Sequence, residues 1–208
     1  FTVTLSAMSS TDVVVSYKTI AGTASDGSDY TGTQTGTVTI AANTLSNTFT
    51  VPIVTDDLDE PNETFSVQLT AITSSANATI LNDTGTVTIN DDDATPIVSI
   101  AGPLANVNEG GDATFTLNLS SKSASAIDVT FSLADVTAKG GAMAGSGNDY
   151  NNTTFTVTVA ANTTTQMFDI PTFQDTIDEA DETFTLTLQS ATNATIATAS
   201  GSKTATAT

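Results

Sequence analysis

Two stretches of the chain carry the same acidic motif, and their carboxylates are the side chains best suited to chemistry. Residues 56–65 read Asp-Asp-Leu-Asp-Glu-Pro-Asn-Glu-Thr-Phe, and residues 175–184 read Asp-Thr-Ile-Asp-Glu-Ala-Asp-Glu-Thr-Phe. Each motif lies between two strand-like patterns, so we expect it in a turn. Oxygen ligands grouped in turns with flexible spacing suit Ca²⁺, which takes about six to eight oxygens. The motif therefore predicts a divalent-cation site in each copy.

The first copy offers four acidic pieces that can converge on one end of a β-sandwich. Carboxylates gathered within a few ångströms repel one another by on the order of several kcal/mol in total, and a bound cation relieves that repulsion. The alternative is that they are solvated turn residues, because aspartate is a common turn former. The ensemble favours calcium, with the candidate ligands Asp29, Asp56, Asp57, Glu60, Glu63, Asp91, Asp92 and Asp93.

Apolar and polar residues alternate along most of the chain, which is typical of half-buried strands rich in Thr and Val. No stretch of ten residues shows helical periodicity. The pattern predicts an all-β fold of two tandem antiparallel Ig-like β-sandwiches. The predicted strands are 1–5, 13–17, 35–40, 48–53, 65–69 and 84–89 in the first copy, and 113–119, 127–133, 155–159, 166–170, 184–188 and 200–206 in the second.

Self-similarity at a fixed offset indicates two copies of one folding unit. We place the domains at residues 1–93 and 94–208, with the opening strand missing from the first and the closing acidic linker missing from the second. Since few residues separate the copies, we expect them to stack end to end. Asp91, Asp92 and Asp93 are both the last acidic cluster of the first copy and the linker, so we expect calcium at the junction to stiffen it.

Composition excludes several classes of function. The chain has 208 residues, four basic against 23 acidic ones, a net charge of −19, and no Cys, His or Trp. Too little basic charge is present to neutralise nucleic-acid phosphates. No apolar run approaches the roughly 20 residues that cross a bilayer as a helix. Without His and Cys, serine- and cysteine-protease chemistry and His-ligated zinc are excluded, so we expect no enzyme.

In this order, the motifs resemble the Calx-β family, the tandem β-sandwich repeats of sodium–calcium exchangers, certain integrins and many large bacterial surface proteins. The resemblance covers nearly the whole chain and includes Gly-Ser-Asp-Tyr at 27–30 and Asn-Asp-Tyr at 148–150. It implies calcium ligands at Asp29, Asp56, Glu60, Glu63 and Asp91 to Asp93 in the first copy, with the Leu58 carbonyl a candidate. In the second copy it implies Glu109, Asp149, Asp175, Glu179, Glu182 and the Ile177 carbonyl.

The two copies depart from the family pattern in different ways. The acidic residue that often precedes Asp56 in the family is Thr55 here, and Gln174 is its counterpart in the second copy. The second copy also lacks the terminal aspartates and has Thr176 where the first has Asp57. We therefore expect fewer ions per site than in the richest family members, and weaker binding in the second copy.

These observations favour a structural calcium-binding module of a secreted or cell-surface bacterial protein, such as an adhesin stalk or an extracellular filament. The alternative is a cytosolic calcium sensor of the exchanger type, which should bind Ca²⁺ near micromolar concentrations, whereas extracellular modules bind at about 10⁻⁴–10⁻³ M.

The two ends leave a further choice open. If the chain is part of a longer array, its partners are neighbouring repeats. If it is a complete subunit, identical subunits could join head to tail by strand addition into a polymer. Tyr30 and Tyr150, which follow the two family-motif aspartates, are expected to pack against the sandwich edge and not to bind a ligand.

Overall fold

The computed structural model describes residues 1–74, 77–144, 147–176 and 178–208. These residues form an all-β protein with two compact units. The first unit is Phe1–Asp56 with Pro61–Asp91, and the second is Asp57–Glu60 with Asp92–Thr208. In the described part of the chain, no helix is long and apolar enough to cross a membrane.

The first unit contains two sheets. One has the strand order β3-β2-β6-β7 and the other pairs β1 with β4, all antiparallel. Val13 and Val15 from the first sheet are buried, and Phe1 and Val3 from the second pack against them. The strands are β1 (Thr2–Thr4), β2 (Val13–Ala21), β3 (Gly36–Ile40), β4 (Ser46–Thr48), β6 (Glu63–Ile72) and β7 (Thr84–Ile89).

The second unit contains two four-stranded sheets, β14-β11-β16-β18 and β15-β9-β8-β17, and short parallel pairs of β5 with β10 and β12 with β13. Its elements are β5 (Leu58–Asp59), β8 (Ile97–Ala101), β9 (Asp112–Leu119), β10 (Lys122–Ser123), β11 (Ile127–Asp135), β12 (Gly140–Gly141), β13 (Tyr150–Asn151), β14 (Val157–Val159), β15 (Thr165–Pro171), β16 (Phe184–Ala191), β17 (Thr195–Ile196), α1 (Ser200–Lys203) and β18 (Thr204–Ala207).

Alternation in the sequence becomes alternation in burial. In β9 every second side chain from Ala113 to Leu119 is buried, because successive side chains of a strand point to opposite faces. Phe115 and Leu117 from one sheet join Leu186 and Leu188 from the other in a single core. The two sheets therefore pack face to face as a sandwich, and the predicted fold class is confirmed.

Two predicted strands are wrong in their bounds. The strand expected at 48–53 is Ser46–Thr48, and beyond it only Ile53 forms an isolated bridge, to Tyr30. The ladder ends where its partner strand begins, because Thr48 pairs with Thr2, the first residue of β1. The strand expected at 200–206 begins at Thr204, after one helical turn at Ser200–Lys203.

The core can be tested with two identical substitutions in the second unit. Leu117 is 1% exposed and Leu104 is 105% exposed. We expect Leu117→Ala to lower the free energy of unfolding by about 2–5 kcal/mol, because it leaves a cavity in the core. Leu104→Ala should change it by less than about 0.5 kcal/mol. Urea denaturation followed by circular dichroism measures both, and equal midpoints would contradict the placement of Leu117 in the core.

Candidate metal centre

Three carboxylates meet in each repeat, where the repeats are residues 1–93 and 94–208. The groups are Asp29, Glu60 and Glu63, and Asp149, Glu179 and Glu182. Within each group, one carboxylate oxygen per residue lies within 4.8 Å of the others. The members occupy matching positions of the two acidic motifs and of the two Asp-Tyr pairs, so the same arrangement occurs twice in one chain.

In the first repeat, Asp29 is held by backbone hydrogen bonds on both sides. The amide of Ser25 donates to Asp29 Oδ2, and the amide of Asp29 donates to the Ser25 carbonyl at 3.1 Å. The Val54 amide donates to the carbonyl of Asp29 at 3.0 Å. The last bond ties the Asp29 loop to the chain two residues before the acidic motif begins.

The second repeat holds Asp149 with the same set of bonds. The amide of Lys139 donates to Asp149 Oδ2, and the amide of Asp149 donates to the Lys139 carbonyl at 2.8 Å. The Phe173 amide donates to the Asp149 carbonyl at 2.8 Å. Since no side chain other than the aspartate takes part, the sequences at Ser25 and Lys139 are free to differ while the geometry is kept.

A stacked pair of rings lies beneath each carboxylate group. Tyr30 stacks on Phe65 with ring centroids 4.1 Å apart and an interplanar angle of 10°. Tyr150 stacks on Phe184 at 4.0 Å and 8°. Both tyrosines are 1% exposed, which confirms the packing role expected for them. Because each tyrosine follows the aspartate and each phenylalanine follows the Glu-Thr pair, the stack brings the two acidic segments together.

A threonine hydroxyl caps the start of the strand that follows each acidic motif. The Thr64 amide donates to Thr23 Oγ1 at 2.8 Å, and the Thr183 amide donates to Thr137 Oγ1 at 2.8 Å. Glu63 and Glu182 directly precede these amides in sequence. The cap therefore fixes the backbone of the glutamate that belongs to each group.

In the second repeat, the pKa values of Glu179 and Glu182 are raised. Partial desolvation raises the pKa of Glu182, and a shared hydrogen bond with Asp149 and the charges of Asp149, Glu179 and Glu109 raise it further. Desolvation and the charges of Asp149, Asp175 and Glu109 raise the pKa of Glu179 in the same direction. The group is therefore a site of concentrated negative charge.

In the first repeat the pKa of Asp29 is lowered, in contrast to the raised pKa values of Glu179 and Glu182 in the second. Burial pushes the pKa of Asp29 upward, but hydrogen bonds from the Ser25 amide and the side chains of Ser28 and Glu63 outweigh it, so the pKa is lowered. Asp29 thus remains ionised at neutral pH. Its oxygen is available to a cation without first losing a proton.

A cavity of about 510 Å³ opens beside the group of the second repeat. Asp149, Glu179 and Glu182 line it together with Glu109 and Gln174. The side-chain amide of Gln174 donates to Glu109 Oε2 at 3.2 Å. Glu109, in the loop before β9, therefore lines the same cavity as the three carboxylates.

The structure brings some predicted ligands together and leaves others outside the two groups. Neither three-carboxylate group includes Asp56, Asp57, Asp91, Asp92, Asp93, Glu109 or Asp175. The Asp91 amide donates to Asn62 Oδ1 at 3.0 Å, so the terminal aspartates begin beside the loop between Glu60 and Glu63. Leu58 lies in β5, paired with Lys122. The carbonyl predicted at Ile177 lies outside the described residues.

Asp135 is a residue that the sequence did not single out. Its Oδ1 accepts a hydrogen bond from the Tyr150 hydroxyl at 2.6 Å and another from the Gly140 amide at 3.0 Å. Desolvation together with this bond and the charge of Asp135 raises the pKa of Tyr150. Asp135 pairs with Phe184 in the sheet, whereas the first repeat has Ala21 paired with Phe65 at the matching position. A comparison of the two repeat sequences therefore does not identify Asp135.

The donor chemistry of both groups fits a hard cation. All the donors are carboxylate oxygens, which Ca²⁺ prefers over the nitrogen and sulfur ligands of zinc. The backbone of Asp29 and Asp149 is fixed on both sides, whereas Glu179 is exposed and borne by a loop. A partly fixed, partly adjustable oxygen set accommodates the flexible coordination of Ca²⁺ better than the near-ideal octahedron of Mg²⁺.

The family model of the Calx-beta domain matches this chain twice, over residues 1–93 and 91–208. The chain belongs to the Calx-beta domain family. The two matches together span the whole sequence, and each contains one complete three-carboxylate group. The resemblance drawn from the acidic motifs is thereby confirmed.

The Calx-beta repeats of this chain are also similar to solved structures. The calcium binding domain CBD12 of CALX1.1 is 20% identical, with a TM-score of 0.42 over 92% of this chain and 74% of its own. CBD12 from CALX1.2 is 20% identical, with a TM-score of 0.42 over 92% and 72%. The apo form of the Calx CBD1 domain is 32% identical, with a TM-score of 0.37 over 40% and 73%. No curated protein matches the chain.

Removing one charge from the second group should stabilise the cation-free protein. A carboxyl whose pKa is raised on folding favours the folded state below its ordinary value of 4.5 and loses that contribution as pH rises through the raised pKa. In EDTA at pH 7, we expect Glu182→Gln to raise the free energy of unfolding by about 0.5–1 kcal/mol, the size of one solvated like-charge contact. Urea denaturation at pH 5 and pH 7 measures the change.

The control for this substitution is Asp181→Asn, which removes the same charge from the neighbouring cavity residue outside the group. It should change stability less than Glu182→Gln does at pH 7. The advantage of Glu182→Gln should shrink at pH 5, where the wild-type carboxyl is partly protonated. An equal effect of both variants at both pH values would refute the mutual repulsion.

Proposed function

We propose that the chain is a calcium-binding module in which each repeat binds Ca²⁺ through its three-carboxylate group. The observation that carries this proposal is the occurrence of the same group at the same place in both repeats, within 4.8 Å in each case. Calx-beta domains bind calcium, and the donor set of these two groups fits that ion. No catalytic role is proposed for the module.

The remaining coordination is proposed to come from carboxylates near each group. In the second repeat Glu109 shares the cavity, and Asp175 acts electrostatically on Glu179. In the first repeat the Asp91 amide donates to Asn62 Oδ1 in the acidic motif, and Asp56 and Asp57 are the first two residues of that motif. When bound, calcium supplies the positive charge that the clustered carboxylates lack, and it links the Asp-Tyr loop to the acidic loop in each repeat.

Calorimetric titration of the full chain with Ca²⁺ tests the proposal. We expect Glu63→Gln and Glu182→Gln each to remove or weaken by at least tenfold one class of binding sites, because each takes a charged ligand from one group. Asp181→Asn should leave both classes in place. Since the second repeat has Thr176 in place of Asp57, the class lost in Glu182→Gln should be the weaker one. Two unchanged classes in both glutamine variants would refute the assignment.

The same titration addresses the setting of the module. We propose a structural module of a secreted or cell-surface protein, such as an adhesin stalk or an extracellular filament, supported by the charge of −19 and the absence of cysteine. Such modules bind Ca²⁺ at about 10⁻⁴–10⁻³ M, whereas a dissociation constant near a micromolar value would favour the sensor alternative.

Stiffening of the module by calcium is a further part of the proposal, and it is supported only by the sequence. Asp91, Asp92 and Asp93 lie where the two family matches overlap, so calcium bound by them should restrict the junction of the repeats. We expect EDTA to lower the melting temperature and to broaden the distance distribution from small-angle scattering. A scattering profile unchanged by EDTA, in a protein whose melting temperature does fall, would refute the stiffening and leave calcium binding intact.

A further inference from the structure

The loop that carries Asp29 contains the one place in the sequence where an aspartate or an asparagine precedes a glycine. Residues 25–30 read Ser-Asp-Gly-Ser-Asp-Tyr, so Asp26 is followed by Gly27. The main-chain nitrogen after an aspartate can attack Cγ of that side chain and close a five-membered ring. Glycine favours the attack, because it has no Cβ to hinder the nitrogen and its backbone adopts many conformations. The pair therefore has the composition of a self-modification site.

Both residues are accessible to water, which the reaction needs. Asp26 and Gly27 are exposed. Gly27 has a φ of 97°, which explains a glycine at this position but not the aspartate before it. In the second repeat Gly147 also has a positive φ, of 71°, and the residue before it in sequence is Ser146. The turn glycine is thus common to both repeats, whereas the reactive pair is present only in the first.

Two hydrogen bonds engage the reacting atoms with other partners in the folded loop. The Gly27 amide, which is the nucleophile, donates to the Tyr30 carbonyl at 2.8 Å. The Asp26 carboxylate, which is the electrophile, accepts at Oδ1 from the Gly32 amide at 2.7 Å. A Cβ added to Gly32 would overlap with this carboxylate, so the carboxylate lies directly against the Gly32 backbone. Ring closure therefore requires the loop to open.

We propose that Asp26 is a covalent modification site, which isomerises to isoaspartate through a succinimide when its loop opens. The Gly27 nitrogen forms a bond to Asp26 Cγ, and the carboxyl hydroxyl leaves with the amide hydrogen as water. A second water then adds to one ring carbonyl and breaks its bond to the nitrogen. Cleavage at the main-chain carbonyl gives isoaspartate, and cleavage at the side-chain carbonyl restores aspartate. Nothing is oxidised or reduced, and no co-reactant other than water takes part.

The modification acts on the neighbouring carboxylate group through the backbone. The Ser25 amide donates to Asp29 Oδ2, and the Asp29 amide donates to the Ser25 carbonyl. Isoaspartate adds one main-chain carbon to the short segment that these bonds close, so it removes the backbone restraint on Asp29. This step rests on the proposed function: the first repeat then binds calcium more weakly, and the second repeat is unaffected.

Bound calcium should in turn slow the reaction. Exposed loops open locally at little cost in free energy, and the open form is the reactive one. A cation held by Asp29 binds the closed loop, so it lowers the open fraction by mass action. We expect isoaspartate to form fastest in a synthetic peptide of residues 18–30, more slowly in the folded protein in EDTA, and most slowly in the folded protein with calcium.

Incubation of the full 208-residue chain in oxygen-18 water tests the modification. The folded protein is kept at neutral pH in EDTA or in calcium, then unfolded and cut with chymotrypsin. Cleavage after Tyr17 and Tyr30 releases residues 18–30, which contain Asp26 and Asp29. Each passage through the succinimide introduces one labelled oxygen, and chromatography separates the isoaspartyl peptide from the aspartyl one. We expect at least tenfold more label at Asp26 than at Asp29 or Asp149.

Two substitutions separate the chemistry from the fold. Gly32→Ala places a Cβ where the Asp26 carboxylate lies, so we expect isoaspartate to form at least threefold faster than in the wild type. Gly32 has no positive φ, so alanine suits its backbone conformation. Asp26→Glu keeps the charge but would have to close a six-membered ring, and we expect no label at residue 26. Circular dichroism checks that both variants keep the fold.

The inference is wrong if Asp26 of the wild type in EDTA takes up no more label than Asp29, or if Gly32→Ala reacts no faster than the wild type. It is also wrong if the peptide and the folded protein react at the same rate, since the loop bonds then protect nothing. These measurements need no calcium, so a failure of the proposed function leaves them unaffected.

Calorimetric titration of the aged protein with Ca²⁺ tests the consequence for binding. One class of sites should weaken with the extent of conversion at residue 26, while the other class is kept. Aged Asp26→Glu, which cannot convert, should keep both classes. Two unchanged classes in fully converted wild-type protein would refute the link between the loop and the first carboxylate group.

Discussion

The stack of a tyrosine on a phenylalanine determines where the acidic groups of this protein lie. Tyr30 on Phe65, and Tyr150 on Phe184, join the loop that carries the aspartate to the strand that contains the phenylalanine. The rings are buried, so the contact is maintained by removal of apolar surface from water as well as by ring geometry. Carboxylates on two separate segments are thereby held near one another despite their mutual repulsion.

That repulsion is tolerated because hydrogen bonds and strand pairing oppose it. The backbone hydrogen bonds of Asp149 and the bond from the Thr183 amide to Thr137 Oγ1 satisfy main-chain groups that need hydrogen-bond partners. The same bonds fix the backbone of the acidic residues. The raised pKa of Glu182 shows that part of the repulsion persists in the folded state. In the proposed module, a cation with flexible coordination offsets this repulsion, and calcium suits such a site better than an ion that needs a rigid octahedron.

Much of the fold and the acidic half of the site could be predicted from the sequence, because alternation and repeated motifs are local signals. The strand at Thr84–Ile89 and the meeting of Asp29 with Glu63 follow from such signals. The start of β18 and the role of Asp135 do not, since the first depends on a helical turn after Ala199 and the second on a tyrosine hydroxyl 15 residues away. Residues 77–80 and 193–196 make the same point, because both read Asn-Ala-Thr-Ile but only Thr195–Ile196 forms a strand, which pairs with β8.

The core connects the strand edge of each repeat to its carboxylates through aromatic rings. Phe1 meets Phe65 at 6.1 Å, and Phe65 stacks on Tyr30, while Phe115, Phe184 and Tyr150 repeat the series. In the second repeat the series ends on Phe115, which is fully buried, but in the first it ends on Phe1, which is partly exposed.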